Sequence, residues 1–286
     1  MSFTIAIILT VVFAVIFNQS TRQLFKSSKH EGAAIIIAEM AAALSVIIWL
    51  PLFGLDVSMP LRLWGLLILS CIFYAINDRL GATVKKNLEV SVFSVLNKSS
   101  DVFLILIGIT IFKQQPTIEK IIGALFIIIG QILLTYKKGK FRLNKYFLIG
   151  LLTNLLFAVA FSIDIDTSDN MSVPIYIGIT YIIPAIFICL AERLNPKTVI
   201  DEFRLMNKLT LALTGISWGT YIVAMITAYQ KGDVITVVSI SALSVLIDVL
   251  IGSLVFKEKS NFTGKVLAAI LVIAGIILTV IDLSFI

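Results

Sequence analysis

The sequence has few of the residues that build metal-binding, disulfide-linked or catalytic sites. Its 286 residues include two cysteines and one histidine, and only 14% of them are charged. Cys71 and Cys189 each lie inside an apolar run and His30 lies between two such runs, so the spacing of a metal site or a disulfide is missing. We therefore expect no metal ion and no cofactor.

The chain also lacks a glycine-rich phosphate-binding loop and a nucleophile paired with a base. We therefore expect that it is not an enzyme and that it does not use ATP. Its formal charge of +6 does not indicate nucleic acid as a partner, because the basic residues are concentrated in short segments between apolar runs.

Long apolar runs dominate what is present. Hydrophobic residues make up 59% of the chain, the mean hydropathy is +1.04, and runs of about 20 apolar residues, enough to cross a bilayer as a helix, recur throughout. This pattern predicts an all-α membrane protein with the lipid bilayer as a partner. Ten transmembrane helices are predicted, at residues 3–21, 32–53, 63–84, 88–112, 117–136, 146–164, 174–192, 209–229, 234–256 and 264–285.

Two further segments need an interpretation. Residues 3–17 resemble the core of a signal peptide, but a preceding basic region and a small-residue cleavage site are missing, so we expect a first membrane span. Residues 195–208 form the longest polar segment, and we expect a short surface helix there.

The second half of the sequence repeats the first at an offset of 144 residues. Phe13-Ala14-Val15 aligns with Phe157-Ala158-Val159, and Gly130 aligns with Gly275 after one inserted residue. Further matches at this offset are Leu106-Ile107-Gly108 with Leu250-Ile251-Gly252, Thr83 with Thr227, and Ser100 with Ser244. Because five helices per repeat is an odd number, the repeats are predicted to be inverted, with a substrate site between them. Their predicted bounds are 1–140 and 141–286.

We single out four ionisable residues inside the predicted membrane spans: Glu39, Lys98, Asp101 and Asp248. A charge at the centre of a bilayer costs at least about 2.5–3.5 kcal/mol, so each must face protein, water or a ligand. Helical spacing puts Lys98 and Asp101 on one polar stripe of their span, and Asp248 on a stripe of another span. These stripes also contain Ser91, Ser94, Ser241 and Ser244.

We expect these residues to line a substrate cavity, with Glu39 and Asp248 as candidates for proton coupling. The alternative is structural, since Lys98 and Asp101 at i,i+3 can neutralise each other while Glu39 stays protonated. A second group of candidates lies at equivalent positions of the two repeats. It comprises Ser70, Tyr74 and Asn77 in the first repeat and Thr214, Trp218 and Tyr221 in the second.

Polar and aromatic side chains at equivalent positions of the two repeats are expected to line a cavity with pseudo-twofold symmetry. Asn18 and Asn154 can add amide groups to its lining. The alternative is hydrogen bonding between helices, which contributes only about 0.6 kcal/mol on average inside membranes.

The chain resembles the drug/metabolite transporter superfamily, especially its ten-span EamA-type members. The resemblance rests on the two repeats and on the segments that follow spans 4 and 9, IFKQQ at 111–115 and VFKEK at 255–259. LNKSSDVF at 96–103 is also similar to the nucleotide-sugar and triose-phosphate branch, where a lysine followed by small hydroxyl residues faces the substrate. Asp101 and Val245 stand where EamA proteins often have a proline.

The resemblance implies a secondary transporter that moves a small polar or charged metabolite by alternating access. Of the 23 basic residues, 18 lie at the ends of the odd-numbered spans, so the positive-inside rule predicts that both termini are outside the cell membrane. Two alternatives stay open, a flippase of a lipid-linked sugar and a membrane scaffold without transport activity. A homodimer is also left open.

Overall fold

Helices form almost all of the structure. The computed structural model describes residues 1–110, 118–137, 140–141, 144–231, 237, 241, 243–254 and 262–280. In chain order its helices are α1 (Phe3–Ser27), α2 (Glu31–Val46), α3 (Leu50–Phe53), α4 (Leu61–Asn87), α5 (Val90–Asn97), α6 (Ser99–Thr110), α7 (Ile118–Thr135), α8 (Lys145–Thr167), α9 (Val173–Ala191), α10 (Pro196–Leu205), α11 (Lys208–Lys231), α12 (Leu243–Leu254) and α13 (Phe262–Val280). Short 3₁₀ turns cover Ile47–Trp49 and Ser168–Asn170, and a two-residue antiparallel pair joins β1 (Tyr136–Lys137) to β2 (Lys140–Phe141).

Six segments in the described part of the chain are helical, long enough and apolar enough to cross a membrane. They are Phe3–Ser27, Glu31–Phe53, Leu61–Asn87, Lys145–Asp164, Val173–Ala191 and Lys208–Lys231. Shorter apolar helices lie at Ile121–Gly130 and Phe262–Leu278. The all-α prediction is confirmed, and these helices fit a protein embedded in a membrane.

The helices pack in pairs around a central space. α1 lies along α11, α4 along α8, and α2 between α9 and α11. α7 lies along α13, and α12 contacts α5 and α1. The outward faces carry large exposed apolar side chains such as Leu69 and Ile72 of α4, which suit a lipid environment.

Glycines allow the closest helix crossings. A Cβ added to Gly215 of α11 would lie 2.8 Å from the carbonyl oxygen of Ala41 in α2. At the crossing of α7 and α13, a Cβ on Gly130 would lie 2.9 Å from the Ala268 oxygen. Small residues at these positions let backbones approach where lipid supplies no hydrophobic force between helices.

Residues 88–112 were predicted to form one continuous span. The structure instead has two helices there, α5 and α6, with a break at Lys98. Ser99 and Ser100 follow the break, and their hydroxyls donate to the carbonyl oxygens of Leu96 (2.9 Å) and Asn97 (2.8 Å). By bonding to backbone carbonyls in this way, serine hydroxyls compete with the backbone N–H groups that would otherwise form the hydrogen bonds of a continuous helix. Asn154 of α8 also donates its amide to the Leu96 oxygen at 2.8 Å, so a neighbouring helix stabilises the break.

The predicted short helix at 195–208 corresponds to α10. Asn195 accepts a hydrogen bond from the Lys197 amide at 2.9 Å, and Pro196 occupies the first turn, both of which favour a helix start. Glu202 of α10 is buried and accepts hydrogen bonds from the backbone amides of Lys29 (3.1 Å) and His30 (3.0 Å). α10 is thereby tied to the connection between α1 and α2.

Replacing Gly215 with alanine should lower the melting temperature in detergent, because the new methyl group would overlap the Ala41 backbone. Overpacking of this kind typically costs about 1–3 kcal/mol. Gly65→Ala on α4 is the control, since nothing lies within 4 Å of its added Cβ. An unchanged melting temperature for Gly215→Ala would contradict the close crossing of α2 and α11.

Candidate functional site

A cavity with about 1040 Å³ of empty space lies at the centre of the helix bundle. α1, α4, α8 and α11 form most of its wall, and the break between α5 and α6 forms the rest. Its polar lining includes Asn18, Asn77, Asp78, Lys85, Asn97, Lys98, Asn154, Tyr221 and Tyr229, and its aromatic lining includes Phe17, Phe93, Phe157, Phe161 and Trp218. We call it cavity A.

Two smaller cavities continue from cavity A toward one end of the bundle. Cavity B, of about 460 Å³, shares Asn77, Asp78 and Trp218 with cavity A and is also lined by Tyr74 and Asp164. Cavity C, of about 430 Å³, shares Asp164 with cavity B and is lined by Ser168, Asp169 and Gln230 near the ends of α8 and α11. We call this end of the bundle the acidic end.

Near the opposite end, which we call the basic end, ion pairs connect α2, α4 and α9. Arg79 of α4 contacts Glu31 of α2 at 3.3 Å and also bonds to Glu192 of α9. Lys86 lies 3.4 Å from Glu31 and donates to the Ser28 carbonyl at 2.9 Å. These side chains are only partly exposed, so the network holds three helix ends together.

Asp248 of α12 is completely buried and joins three helices. Its carboxylate accepts hydrogen bonds from Asn18 Nδ2 (2.7 Å) and Gln19 Nε2 (2.8 Å) of α1 and from Ser94 Oγ (2.7 Å) of α5. Lys98 adds electrostatic attraction. Three donors shared by two oxygens form the environment that an ionised carboxylate requires away from water.

Asp164 of α8 has a comparable set of partners. It accepts hydrogen bonds from the hydroxyls of Tyr74 (2.8 Å) and Tyr176 (2.6 Å), so it links α4, α8 and α9. Tyr176 is also hydrogen bonded to the Thr167 hydroxyl at 2.6 Å. Asp164 is buried, yet it lines cavities B and C, so a carboxylate with two tyrosine donors lies on the way to the acidic end.

Glu39 of α2 is completely buried, and neither of its oxygens receives a hydrogen bond from a conventional donor among the described residues. The group that faces it is the carboxyl of Asp78 on α4. Two carboxylates that face each other away from water repel strongly, so both cannot easily be ionised at once. Asn77 Nδ2 donates to Asp78 Oδ1 at 2.8 Å.

The candidates from the sequence occupy different parts of this site. Asn77, Lys98, Trp218 and Tyr221 line cavity A, whereas Tyr74 lines cavity B. Glu39 and Asp248 lie buried behind the walls, and Ser244 is buried with its hydroxyl donating to the Ser241 carbonyl at 2.7 Å. Ser70 and Thr214 are buried in the helices. The side chain of Asp101 and the segments IFKQQ and VFKEK lie outside the described residues.

Three important side chains were not among the candidates from the sequence: Asp78, Lys85 and Asp164. The prediction placed Lys85 just beyond its span and Asp164 at the outer end of another. A signal was present in α4, where Tyr74, Asp78 and Lys85 are spaced by four and seven residues and so share one helix face. No three His, Cys, Asp or Glu residues in the described part of the chain are grouped to hold a metal ion.

Comparisons with known proteins show the fold and no more. No family model matches the sequence, and no curated protein matches it. Fifteen chains of solved structures match the fold. One of them, described only as "Crystal structure of protein", superposes with a TM-score of 0.63 at 16% identity, covering 96% of this chain and 97% of its own. The similarity therefore extends over the whole architecture.

Replacing Asp248 with alanine should destabilise the protein by about 3 kcal/mol or more, because buried donors from α1 and α5 would lose their acceptor. The expected readout is a large fall of the melting temperature in detergent. Asp169→Ala is the matched control, since Asp169 is exposed and accepts only from Gln230, at 2.8 Å. Equal melting temperatures for the two variants would show that Asp248 does not hold these helices together.

Proposed function

We propose that the protein is a secondary transporter that moves a small polar or charged metabolite by alternating access. The observation that carries this proposal is the position of cavity A. It lies among helices of both halves of the chain, and cavities B and C, which share lining residues with it and with each other, follow it toward the acidic end. A polar cavity that reaches one end of a membrane bundle suits a carrier in one of its two states.

Ten membrane spans arranged as two inverted repeats form the architecture that we propose. Under the offset of 144 residues, α1, α2 and α4 correspond to α8, α9 and α11, and the contacts between helices follow this symmetry. The pair α1–α11 has its counterpart in α8–α4, and α2–α11 has its counterpart in α9–α4. The pairs α2–α9 and α7–α13 each join equivalent helices, as a twofold axis between the repeats requires.

The lining of cavity A supports the same symmetry, because many of its residues come in pairs at the offset of the repeat. These pairs are Phe17 with Phe161, Asn77 with Tyr221, Asp78 with Ile222, Gly81 with Met225, Lys85 with Tyr229, and Asn97 with Ser241. Equivalent positions face the same space, but the charged members belong to the first repeat. A substrate at the interface of the repeats would therefore meet a chemically asymmetric site.

Within this proposal the break at Lys98 has a role. Interrupted helices are common at the substrate sites of secondary transporters, where backbone groups and charges are released toward the cavity. Lys98 lies at the break and lines cavity A, so it can supply positive charge for an anionic group. Trp218 and Tyr221 would stack against or hydrogen bond to the substrate. Tyr74, which lines cavity B, would contact the substrate on its way between cavity A and the acidic end. Glu39 or Asp248 would bind a proton or an amine of the substrate.

The proposed orientation places both termini outside the cell membrane, with the basic end in the cytoplasm. The excess of lysine and arginine at the ends of the odd-numbered spans supports it. In this orientation the ion pairs of Arg79 close the cytoplasmic end, and cavity C leads outward. The arrangement then corresponds to a carrier that is closed on the inside.

The transport proposal predicts that a ligand found by a thermal-shift screen of metabolites is taken up by proteoliposomes without ATP. Asn77→Ala should weaken its binding by about tenfold, which corresponds to the loss of one buried hydrogen bond. Asn87→Ala is the control on the same helix, since Asn87 is exposed and donates to the Thr83 carbonyl of its own helix. A ligand that stabilises the protein but is never carried across the bilayer would contradict transport.

A further inference from the structure

Lys85 is a cation in the wall of cavity A that has aromatic neighbours. Its ammonium lies 4.3 Å from the centre of the Phe17 ring, 5.4 Å from that of Phe93 and 5.8 Å from that of Trp218. It makes no hydrogen bond or ion pair with any residue that the structure describes. Lys85 therefore differs from Lys86 next to it, which is paired with Glu31.

This environment leaves the ammonium incompletely satisfied. An ammonium has three hydrogen-bond donors, and the faces of aromatic rings offer it electrostatic attraction but no lone pair along each N–H bond. Inside a membrane bundle the missing acceptors cannot come from lipid, so they must come from the contents of the cavity. An anionic group with several oxygens, such as a carboxylate or a phosphate, has the required charge and acceptors.

Asp78 faces the same cavity and attracts Lys85 electrostatically from about two turns away along α4. The helix rise between the two residues is about 10 Å, and Asp78 gives the ammonium no hydrogen-bond acceptor, so an anion in the cavity can still bind it.

We propose that Lys85 holds the anionic group of the transported substrate. The inference rests on the proposed function and adds to it the charge of the substrate. The geometry that carries it is the ammonium in the wall of cavity A, with three aromatic rings around it.

Iodide quenching of Trp218 fluorescence tests the anion site and needs no identified substrate. The chain has three tryptophans, so Trp49→Phe and Trp64→Phe leave Trp218, beside Lys85, as the reporter. Iodide is the anionic probe and acrylamide is the neutral one. Lys85→Met should reduce iodide quenching by about tenfold, because charge lining a cleft raises the local concentration of an oppositely charged probe by at least about that factor. Acrylamide quenching should stay unchanged, since acrylamide carries no charge.

Two controls make this result specific. Lys85→Arg should retain the iodide quenching, and Lys26→Met, which removes an exposed lysine of α1, should not alter it. Equal iodide quenching in the parent protein and in Lys85→Met would overturn the anion site. All variants are first compared by melting temperature, and acrylamide quenching verifies that the cavity keeps its accessibility.

These are equilibrium measurements in detergent and do not depend on transport. The expected quenching together with no uptake of any ligand would refute the proposed function and leave the anion site. Demonstrated transport with iodide quenching that does not depend on Lys85 would refute the inference and leave the transporter.

Discussion

Carboxylates inside a lipid-embedded helix bundle need partners from the protein, because lipid offers no hydrogen bonds. Three buried acids of the described helices meet that requirement differently. Asp248 has three neutral donors, Asp164 has two tyrosine hydroxyls, and Glu39 faces the carboxyl of Asp78. These partners come from different helices, so the acids also determine which helices meet around the central cavity.

The same requirement accounts for the interrupted helix. A break in a membrane helix exposes backbone carbonyls that must be satisfied, and at Lys98 the amide of Asn154 and the hydroxyl of Ser99 both bond to the Leu96 oxygen. The break therefore occurs where α8 can stabilise it and where it opens toward a polar cavity rather than lipid. The charges of Lys98 and Lys85 consequently lie close to the space in which a substrate would bind.

The helical class and most helix positions could be predicted from apolar runs alone, since the length of a run is set by the thickness of a bilayer. The search for polar residues within those runs also led to Asn77, Lys98, Trp218 and Tyr221, which line the cavity. The break at Lys98 could not be predicted, because it depends on a hydrogen bond from Asn154, a residue 58 positions away from the Leu96 oxygen that it contacts.

Lys85 and Asp78 were missed for a related reason. The predicted span at 63–84 ended just before Lys85, whereas α4 continues to Asn87 and carries this side chain into the cavity wall. Asp78 lay inside the predicted span but was not singled out, because its position opposite Glu39 of α2 is a tertiary contact that periodicity within one helix cannot indicate. Charges near the ends of predicted spans therefore need the same attention as charges near the middle.

The central claim, that one cavity between two repeats opens to each side in turn, is tested most directly by thiol accessibility. Met225 lines both cavity A and cavity B, so Met225→Cys in a background with Cys71→Ala and Cys189→Ala places a single thiol in the cavity. We predict that a membrane-impermeant thiol reagent labels this cysteine from either face of the membrane, and that Arg79→Gln increases labelling from the basic end. Labelling from one face alone, with or without Arg79→Gln, would contradict alternating access.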